Sequence, residues 1–379
     1  MRYIPVLIAA ACLAATPAMA QDELERARAI LADAPVFDGH NDLPYAIRRM
    51  NESRISDFPY AELDERFEGR IATDAAKLKA GGLGAQFWSV YVPASLPEPE
   101  AVVQVVEQID LTERLMAANP DTMAKASTAA DIRRIMASGR VAGMYGIEGG
   151  HAIANSLGVL RQLYDLGARY MTLTHSTSLD WVDSATDEPK SGGLSDFGRE
   201  VVREMNRLGM LVDLSHVSPD AMRDSLEETV APVIFSHSSA RAITDHPRNV
   251  PDDVLRLTAE NGGVVMVTYV EGFVNEATRA WWAAQAGERS RLESLFPYAS
   301  DEQLGEMMAD WREANPQPKA TIGDVADHID HMRDVMGVDH VGIGGDFDGI
   351  PTYPVGLEDV STYPALFAEL LRRGYSEAD

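Results

Sequence analysis

Eight short apolar runs, rich in β-branched and aromatic residues and separated by stretches of helical periodicity, limit this chain to very few folds. They are "PVFDG" (35–39), "LGAQFWSVYV" (83–92), "VAGMYGI" (141–147), "RYMTLT" (169–174), "MLVDLS" (210–215), "PVIFS" (232–236), "GGVVMVTYV" (262–270) and "HVGIGG" (340–345). Runs of this length, bounded by glycine, proline and polar residues, read as buried strands. Between them lie amphipathic segments such as "EAVVQVVEQIDLTERLMAA" (100–118) and "LSDFGREVVREMNRLG" (194–209). In the second, Ser195 supplies an N-cap, Phe197, Val201, Val202 and Met205 recur at helical spacing, and Gly209 ends the helix. Strands that alternate with helices are joined by crossovers, which gives parallel pairing. Eight such units predict a (β/α)8 TIM-type barrel, with a doubly wound sheet as the alternative. One segment breaks the rhythm. Residues 271–320, with Trp281, Trp282 and Trp311, are inserted after the seventh strand, and an insertion that long reads as a lid or binding element.

The first twenty residues stand outside this pattern. Arg2, the apolar "YIPVLIAAACLAA" and the small-x-small "AMA" before Gln21 form the pattern of a secretory signal peptide. The reading is a signal peptide over 1–20, cleaved near Ala20, and a single catalytic domain over 21–379 in a secreted or periplasmic protein. Cys12, the one cysteine of the chain, falls inside that leader. A lipoprotein with Cys12 lipidated is the lesser alternative, because the apolar region before it would be very short. The residues after the leader offer no thiolate, so any metal site must be built from His, Asp and Glu. No later segment stays apolar over the roughly 20 residues that a membrane span needs. With 33 basic against 59 acidic residues, a net charge of −26, the chain is a poor partner for nucleic acid or anionic lipid. Small substrates are not excluded, because bound cations invert the local field. A homodimer is compatible with the sequence, which does not set an oligomeric state.

In a barrel of this kind the C-terminal ends of the strands converge on one site. The first run leads into His40-Asn41-Asp42, and side chains two apart on an extended strand share a face, so His40 and Asp42 point together. Alone, such a pair could hold a turn through a hydrogen bond or form half a metal site. The third run ends in Glu148, the fourth in His175, the fifth in His216, the sixth in His237, and the eighth in Asp346 and Asp348. Four of the nine histidines thus fall at equivalent points of different strands, which neither helix capping nor core packing explains. His151, His246, His328, His331 and His340 lie in loops or helical flanks and read as structural. Glu148 could instead pair with Arg248, Asp348 could orient its own loop, and Asp38 reads as a turn or supporting residue.

Imidazole and carboxylate suit Zn2+ and its neighbours. His40 and Asp42 can hold one ion, His216 and His237 a second, and Glu148, with two oxygens, can bridge them. Two ions about 3.5–4 Å apart can share a hydroxide at neutral pH and polarise a carbonyl. Asp346 is then a spare carboxylate, suited to moving protons between that water and a leaving amine. His175 and Arg248 remain as donors to an oxyanion or a substrate carboxylate.

The stretches "DGHNDLP", "GIEGGHAI", "LTHSTSLDW", "GGLSDFGREVVREMNRLGMLVDLSHVS", "SHSSARAITDHPRNVPDD" and "VGIGGDFDGI" together resemble the membrane dipeptidase (renal dipeptidase) family of zinc peptidases, in order, from about residue 33 to the end. The resemblance implies a metal-dependent amidohydrolase-like (β/α)8 barrel with two Zn2+ per chain. It implies activity on dipeptides, commonly with a D-residue in second position, and in some members on β-lactams. Carried over by motif, it implies His40, Asp42, Glu148, His216 and His237 as zinc ligands, with Glu148 bridging. Asp346 then looks like the proton-transfer acid, and His175 and Arg248 look like substrate contacts. Mammalian members are lipid-anchored at the C-terminus; the absence of an apolar tail here fits a soluble exported enzyme better. "RRGYSEAD" stops where relatives begin a final helix, and Ser376 to Asp379 reads as a capping box, so a truncated C-terminus is expected. Two other functions remain open: an N-acyl amino acid deacylase or lactonase using the same metals, and a non-catalytic solute-binding barrel. Asp346 argues against the last, since a pure binder needs no spare carboxylate.

Overall fold

A computed structural model of the chain describes residues 17–50 and 70–379. Among these residues the strands are β1 (Val36–Asn41), β2 (Leu83–Ser89), β3 (Met123–Lys125), β4 (Val141–Glu148), β5 (Ala168–Thr172), β6 (Leu211–Asp213), β7 (Ile234–Phe235), β8 (Val264–Val267) and β9 (Val341–Ile343). Eight of them pair in parallel in the order β1-β2-β4-β5-β6-β7-β8-β9, and β9 returns to β1. The ring is closed, so the barrel expectation holds and the open doubly wound alternative does not. All eight apolar runs supply barrel strands. The additional strand β3 pairs with the first residues of β4 and has no counterpart in the sequence reading, since three residues are too few to show a period.

The helices between strands follow from capping and patterning. In the helix Asp196–Leu208, the Ser195 side chain accepts from the Gly198 backbone N–H, and Gly209 turns the chain left-handed at φ 79°. Val201, Val202 and Met205 bury the inward stripe of that helix. The barrel strands also carry buried charge. Asp38, fully buried on β1, accepts from the His40 backbone N–H (2.8 Å), Gln86 Nε2 (2.8 Å), the Gly345 backbone N–H (2.9 Å) and Tyr363 Oη (2.7 Å). One carboxylate thereby ties β1 to β2, to the loop after β9 and to the helix Tyr363–Arg372. That is the supporting role expected of it.

The insertion 271–320 is mostly helical. The helices Glu276–Leu295 and Asp301–Ala314 share a small apolar core of Leu292, Leu304 and Met308. Its first turn, Glu271–Val274, sits at the barrel mouth, where buried Glu271 accepts from Thr352 Oγ1 (2.5 Å), the Ala320 backbone N–H (3.2 Å) and Gln317 Nε2 (3.3 Å). The foot of the insertion is therefore fixed to the loop that follows β9. Most of the expected leader lies outside the described residues; a helix, Pro17–Asp33, begins within its last four positions. No helix among the described residues is long and apolar enough to cross a membrane. At the other end, Ser376 and Asp379 exchange the two hydrogen bonds expected of a capping box, at 2.9 and 3.3 Å.

Candidate metal centre

The strand ends bring all eight singled-out residues to one place. His40 is the last residue but one of β1, and Asp42 stands just before the helix Leu43–Met50. Glu148 is the last residue of β4, His175 and His216 lie three residues beyond β5 and β6, His237 two beyond β7, and Asp346 three beyond β9. Arg248 reaches in from the loop after β7. Seven of the eight line a cavity of about 310 Å3 together with Tyr45, Tyr91 and Phe273. The eighth, His40, is fully buried beside them.

Glu148 is the hub. Its Oε1 lies 3.1 Å from His216 Nε2, 3.5 Å from His237 Nε2 and 3.8 Å from His175 Nε2. Its Oε2 lies 3.4 Å from His40 Nε2 and accepts from Ser89 Oγ at 3.1 Å. His40 Nε2 is also 3.2 Å from Asp42 Oδ2. The two carboxylate oxygens thus face different histidines. Arg248, the alternative partner, makes no ion pair with Glu148 among the described residues; its Nη2 donates to the His237 carbonyl at 3.3 Å.

Outer partners fix which way the imidazoles face. Tyr170 Oη lies 3.4 Å from the Gly39 carbonyl and donates to it, so at 2.8 Å it accepts from His40 Nδ1. Ser236 Oγ donates to Asp213 Oδ2 (2.6 Å) and accepts from His237 Nδ1 (2.8 Å). The Nε2 lone pairs of His40 and His237 therefore point inward at carboxylate oxygens, and His216 Nε2 sits 2.9 Å from His237 Nε2. Lone pairs gathered this closely repel unless something positive lies between them. Asp42 Oδ1 and His216 Nδ1 are buried without a partner among the described residues. Three donor groups, His40/Glu148/His237, Glu148/His175/His216 and His40/Asp42/Asp346, each have their ligand atoms within 4.8 Å of one another. By donor type, convergence and outer support, these residues fit hard or borderline cations such as zinc.

Burial and charge set the protonation of the site. Burial works against charge on His40, but Tyr170, Glu148 and Asp42 outweigh it and hold its pKa well above the ordinary value, so Nε2 carries a proton that a bound cation would displace. Burial would raise Glu148, yet His40, His216 and His175 keep it well below the usual carboxylate range. Burial pushes His216 and His237 well down. It pushes Asp346 well up, and the neighbouring Asp42 and Glu148 add to that. Burial also lowers Arg248 to about 10, and its Nε and Nη1 find no partner among the described residues. A guanidinium with two idle donors in a cavity is prepared to receive an anion.

The backbone is strained at the same positions. His216, Asp346 and Asp348 have φ of 70°, 59° and 66°, a region that costs a residue with a Cβ about 1 kcal/mol or more. Gly349 follows because a Cβ there would come within 2.3 Å of Asp42 Oδ2 and 2.4 Å of Asp346 Oδ1. Asp348 Oδ1 accepts from the Ala72 backbone N–H at 2.7 Å, which suits loop orientation. The five other histidines have local partners: His151 lies 3.2 Å from the Val92 carbonyl and His340 2.8 Å from the Gly263 carbonyl. His331 pairs with Asp252 (2.8 Å), His246 accepts from the Arg248 backbone N–H (3.2 Å), and His328 bridges Ala240 and Val274. Sequence reasoning missed Tyr170, Ser89, Ser236 and Asp213. A lone acid inside the apolar run "MLVDLS" was a signal for Asp213; the others carry none.

The model of the membrane dipeptidase family (Peptidase family M19) matches residues 24–379. Dipeptidase 3 of Rattus norvegicus is 40% identical over 360 residues, which cover 94% of this chain and 64% of that relative. The chain thus spans less than two thirds of the length of the curated relatives it matches. A metallopeptidase of Rhodobacter sphaeroides, solved with a phosphinate mimic of the dipeptide L-Ala-D-Ala, is 26% identical with a TM-score of 0.72, over 90% of this chain and 93% of that one. The probable dipeptidase PvdM of Pseudomonas aeruginosa, 23% identical with a TM-score of 0.78 over 94% of each chain, shares the fold.

Proposed function

The chain belongs to the membrane dipeptidase family, peptidase family M19, and from that premise we propose that it is an exported dinuclear zinc dipeptidase, cleaving dipeptides that include those with a C-terminal D-residue. The observation that carries the two-ion reading is Glu148. Its Oε1 faces His216 and His237, its Oε2 faces His40, and Asp42 stands beside His40. In this reading His40 and Asp42 would hold one ion and His216 and His237 the other, with Glu148 contributing to both. Such ions supply Lewis acidity and a water that is reactive at neutral pH.

The remaining steps belong to the chain's own side chains. Arg248, with two idle donor nitrogens, and His175, which lines the same cavity, hold the substrate's terminal carboxylate and so fix its scissile carbonyl. As water oxygen bonds to that carbonyl carbon, Asp346, which the positive charge of the ions and of Arg248 would hold as the carboxylate against its burial, takes a water proton. It returns the proton to the departing nitrogen as the C–N bond breaks, giving two amino acids. The D-residue preference is drawn from the Rhodobacter sphaeroides relative, whose ligand mimics L-Ala-D-Ala. The export reading rests on the leader pattern in residues 1–20.

The test combines metal analysis with a hydrolysis screen over L,L- and L,D-dipeptides, their N-acylated forms and their C-terminal amides. Two zinc ions per chain, loss of turnover on chelation with recovery on added zinc, and loss of activity on amidation are expected. A fully active metal-free preparation would end the reading. Faster cleavage of N-acylated substrates than of free dipeptides would replace it with a deacylase.

A further inference from the structure

Arg248 receives its position from a side chain outside the barrel strands. The Phe273 ring, in the first turn of the insertion, touches two groups of the loop that follows β7. The Arg248 guanidinium carbon sits over it, 5.5 Å from the ring centroid. The His246 ring lies 4.2 Å from it, tilted by 30°. The backbone is joined as well: Asn249 Nδ2 donates to the Phe273 carbonyl at 2.7 Å and to the Thr244 carbonyl at 2.9 Å. His246 Nδ1 in turn accepts the Arg248 backbone N–H at 3.2 Å. Phe273 itself lines the cavity.

These contacts leave Arg248 oddly held for a buried cation. Its one side-chain hydrogen bond among the described residues is the 3.3 Å bond to the His237 carbonyl, and its Nε and Nη1 have none. No carboxylate of the chain forms an ion pair with it among those residues. A guanidinium on a flexible stem with so few ties would swing unless something held its plane. The face of an aromatic ring does so without using any donor, and it attracts the cation through the ring quadrupole.

We propose that Phe273 is a positioning residue: through the face of its ring it aims the idle donors of Arg248 at the substrate's terminal carboxylate, so the insertion contributes to recognition of free dipeptides. This rests on the dipeptidase reading above. Glu271, two residues earlier, fixes the foot of the insertion to Thr352 and Ala320, in the loop after β9 and the return of the insertion. The ring is thus referenced to the same loop that carries Asp346. The insertion need not close over the site to act; its first turn is already in contact.

The experiment compares kcat/KM for a dipeptide and for its C-terminal amide in the wild type and in Phe273→Leu, Phe273→Met and Phe273→Tyr, with zinc content and melting temperature measured on each. Leu and Met fill the space but lack an aromatic face; Tyr keeps it. Both aliphatic variants are expected to bind zinc normally and to lose about tenfold of the preference for acid over amide, mainly through KM. Tenfold corresponds to about 1.4 kcal/mol, within the range for a desolvated cation–π contact. Phe273→Tyr is expected to keep the preference. A general structural role would lower both substrates together and leave the ratio intact, which overturns the proposal. So does loss of the ratio in Phe273→Tyr as well as in the aliphatic variants. If either aliphatic variant fails to fold, the other decides. A wild type that does not distinguish acid from amide refutes the carboxylate grip itself, a failure separate from that of Phe273.

Discussion

Removing one oxygen atom, by Tyr170→Phe, tests the assignment of His40. The hydroxyl is buried, 2.8 Å from His40 Nδ1, and no other acceptor reaches that nitrogen among the described contacts. The substitution keeps the ring, which packs against Phe87 with centroids 4.8 Å apart, and so opens almost no void. Its cost is that of an imidazole N–H buried without a partner, about 1–3 kcal/mol. An outer partner of a metal-bound histidine typically contributes about 10–100-fold to metal affinity. Those figures agree, since tenfold is about 1.4 kcal/mol. Zinc affinity, measured by competition with a chromophoric chelator, should therefore fall about 10–100-fold, with one ion weakened more than the other. Turnover at saturating zinc should recover most of its wild-type value, because the inner donors remain. Thermal unfolding should show a larger loss in the zinc-loaded protein than in the stripped one, as linkage requires when a ligand of the folded state binds less tightly. Affinities within twofold of wild type for both ions would refute the argument. They would mean either that His40 is not a ligand or that its orientation does not depend on Tyr170.

Two further outcomes follow from the geometry. Asp346→Asn should keep both ions and lose about 10²–10⁴-fold in kcat with little change in KM, since an amide cannot carry the proton, whereas His216→Ala should lose metal as well; because Asp346 lies within 4.8 Å of the His40 and Asp42 donor atoms, loss of an ion from Asp346→Asn with the rate restored by excess zinc would make it a ligand instead. His328 is buried neutral, its pKa lowered by burial from 6.5 to about 4, so the unfolded chain binds its proton first and stability is lost as pH falls from about 6.5 through about 4, in total about 3 kcal/mol; denaturant midpoints at pH 7 and pH 5 should show this, and His328→Gln should show a smaller difference.

The barrel was legible because its strands announce themselves. A buried parallel strand reads as a short apolar run with polar punctuation, and all eight did. The donors were legible for the same reason in reverse: Glu148 and His237 each follow a run of uncharged residues, so a titratable side chain there stands out. What surrounds those donors has no such contrast. Tyr170 is one aromatic residue among the apolar residues of "RYMTLT", and only the closing of the barrel sets its hydroxyl beside His40, 130 positions away. Phe273 likewise gains its meaning from Arg248 and His246 on another loop. The insertion was legible as an interruption, but not that its first turn borders the cavity while its helical hairpin builds a core of its own.

The donor set rests on two buried carboxylates, and their arrangement bears on why the site can hold strained parts. Asp38 lies two residues before His40; it accepts that residue's backbone N–H and the Gly345 N–H, next to Asp346. Asp213 lies three residues before His216. Its Oδ1 accepts the backbone N–H groups of Ser215 (3.1 Å) and Ser236 (2.9 Å), and its Oδ2 accepts from Thr172 Oγ1 (2.5 Å) and Ser236 Oγ (2.6 Å). Each carboxylate thus secures the backbone just before a left-handed residue, Asp346 in one case and His216 in the other. A conformation that costs about 1 kcal/mol or more persists only where its surroundings over-determine it, and four charge-assisted hydrogen bonds to a buried oxygen pair are enough to do that. Strain and support therefore occur in pairs, one for the His40/Asp42 half of the site and one for the His216/His237 half. The halves meet where Glu148 faces His40 with one oxygen and His216 and His237 with the other, and where the His40 and His237 rings lie 3.8 Å apart; on the two-ion proposal, a change at Asp38 or Asp213 should disturb one half first and a change at Glu148 both.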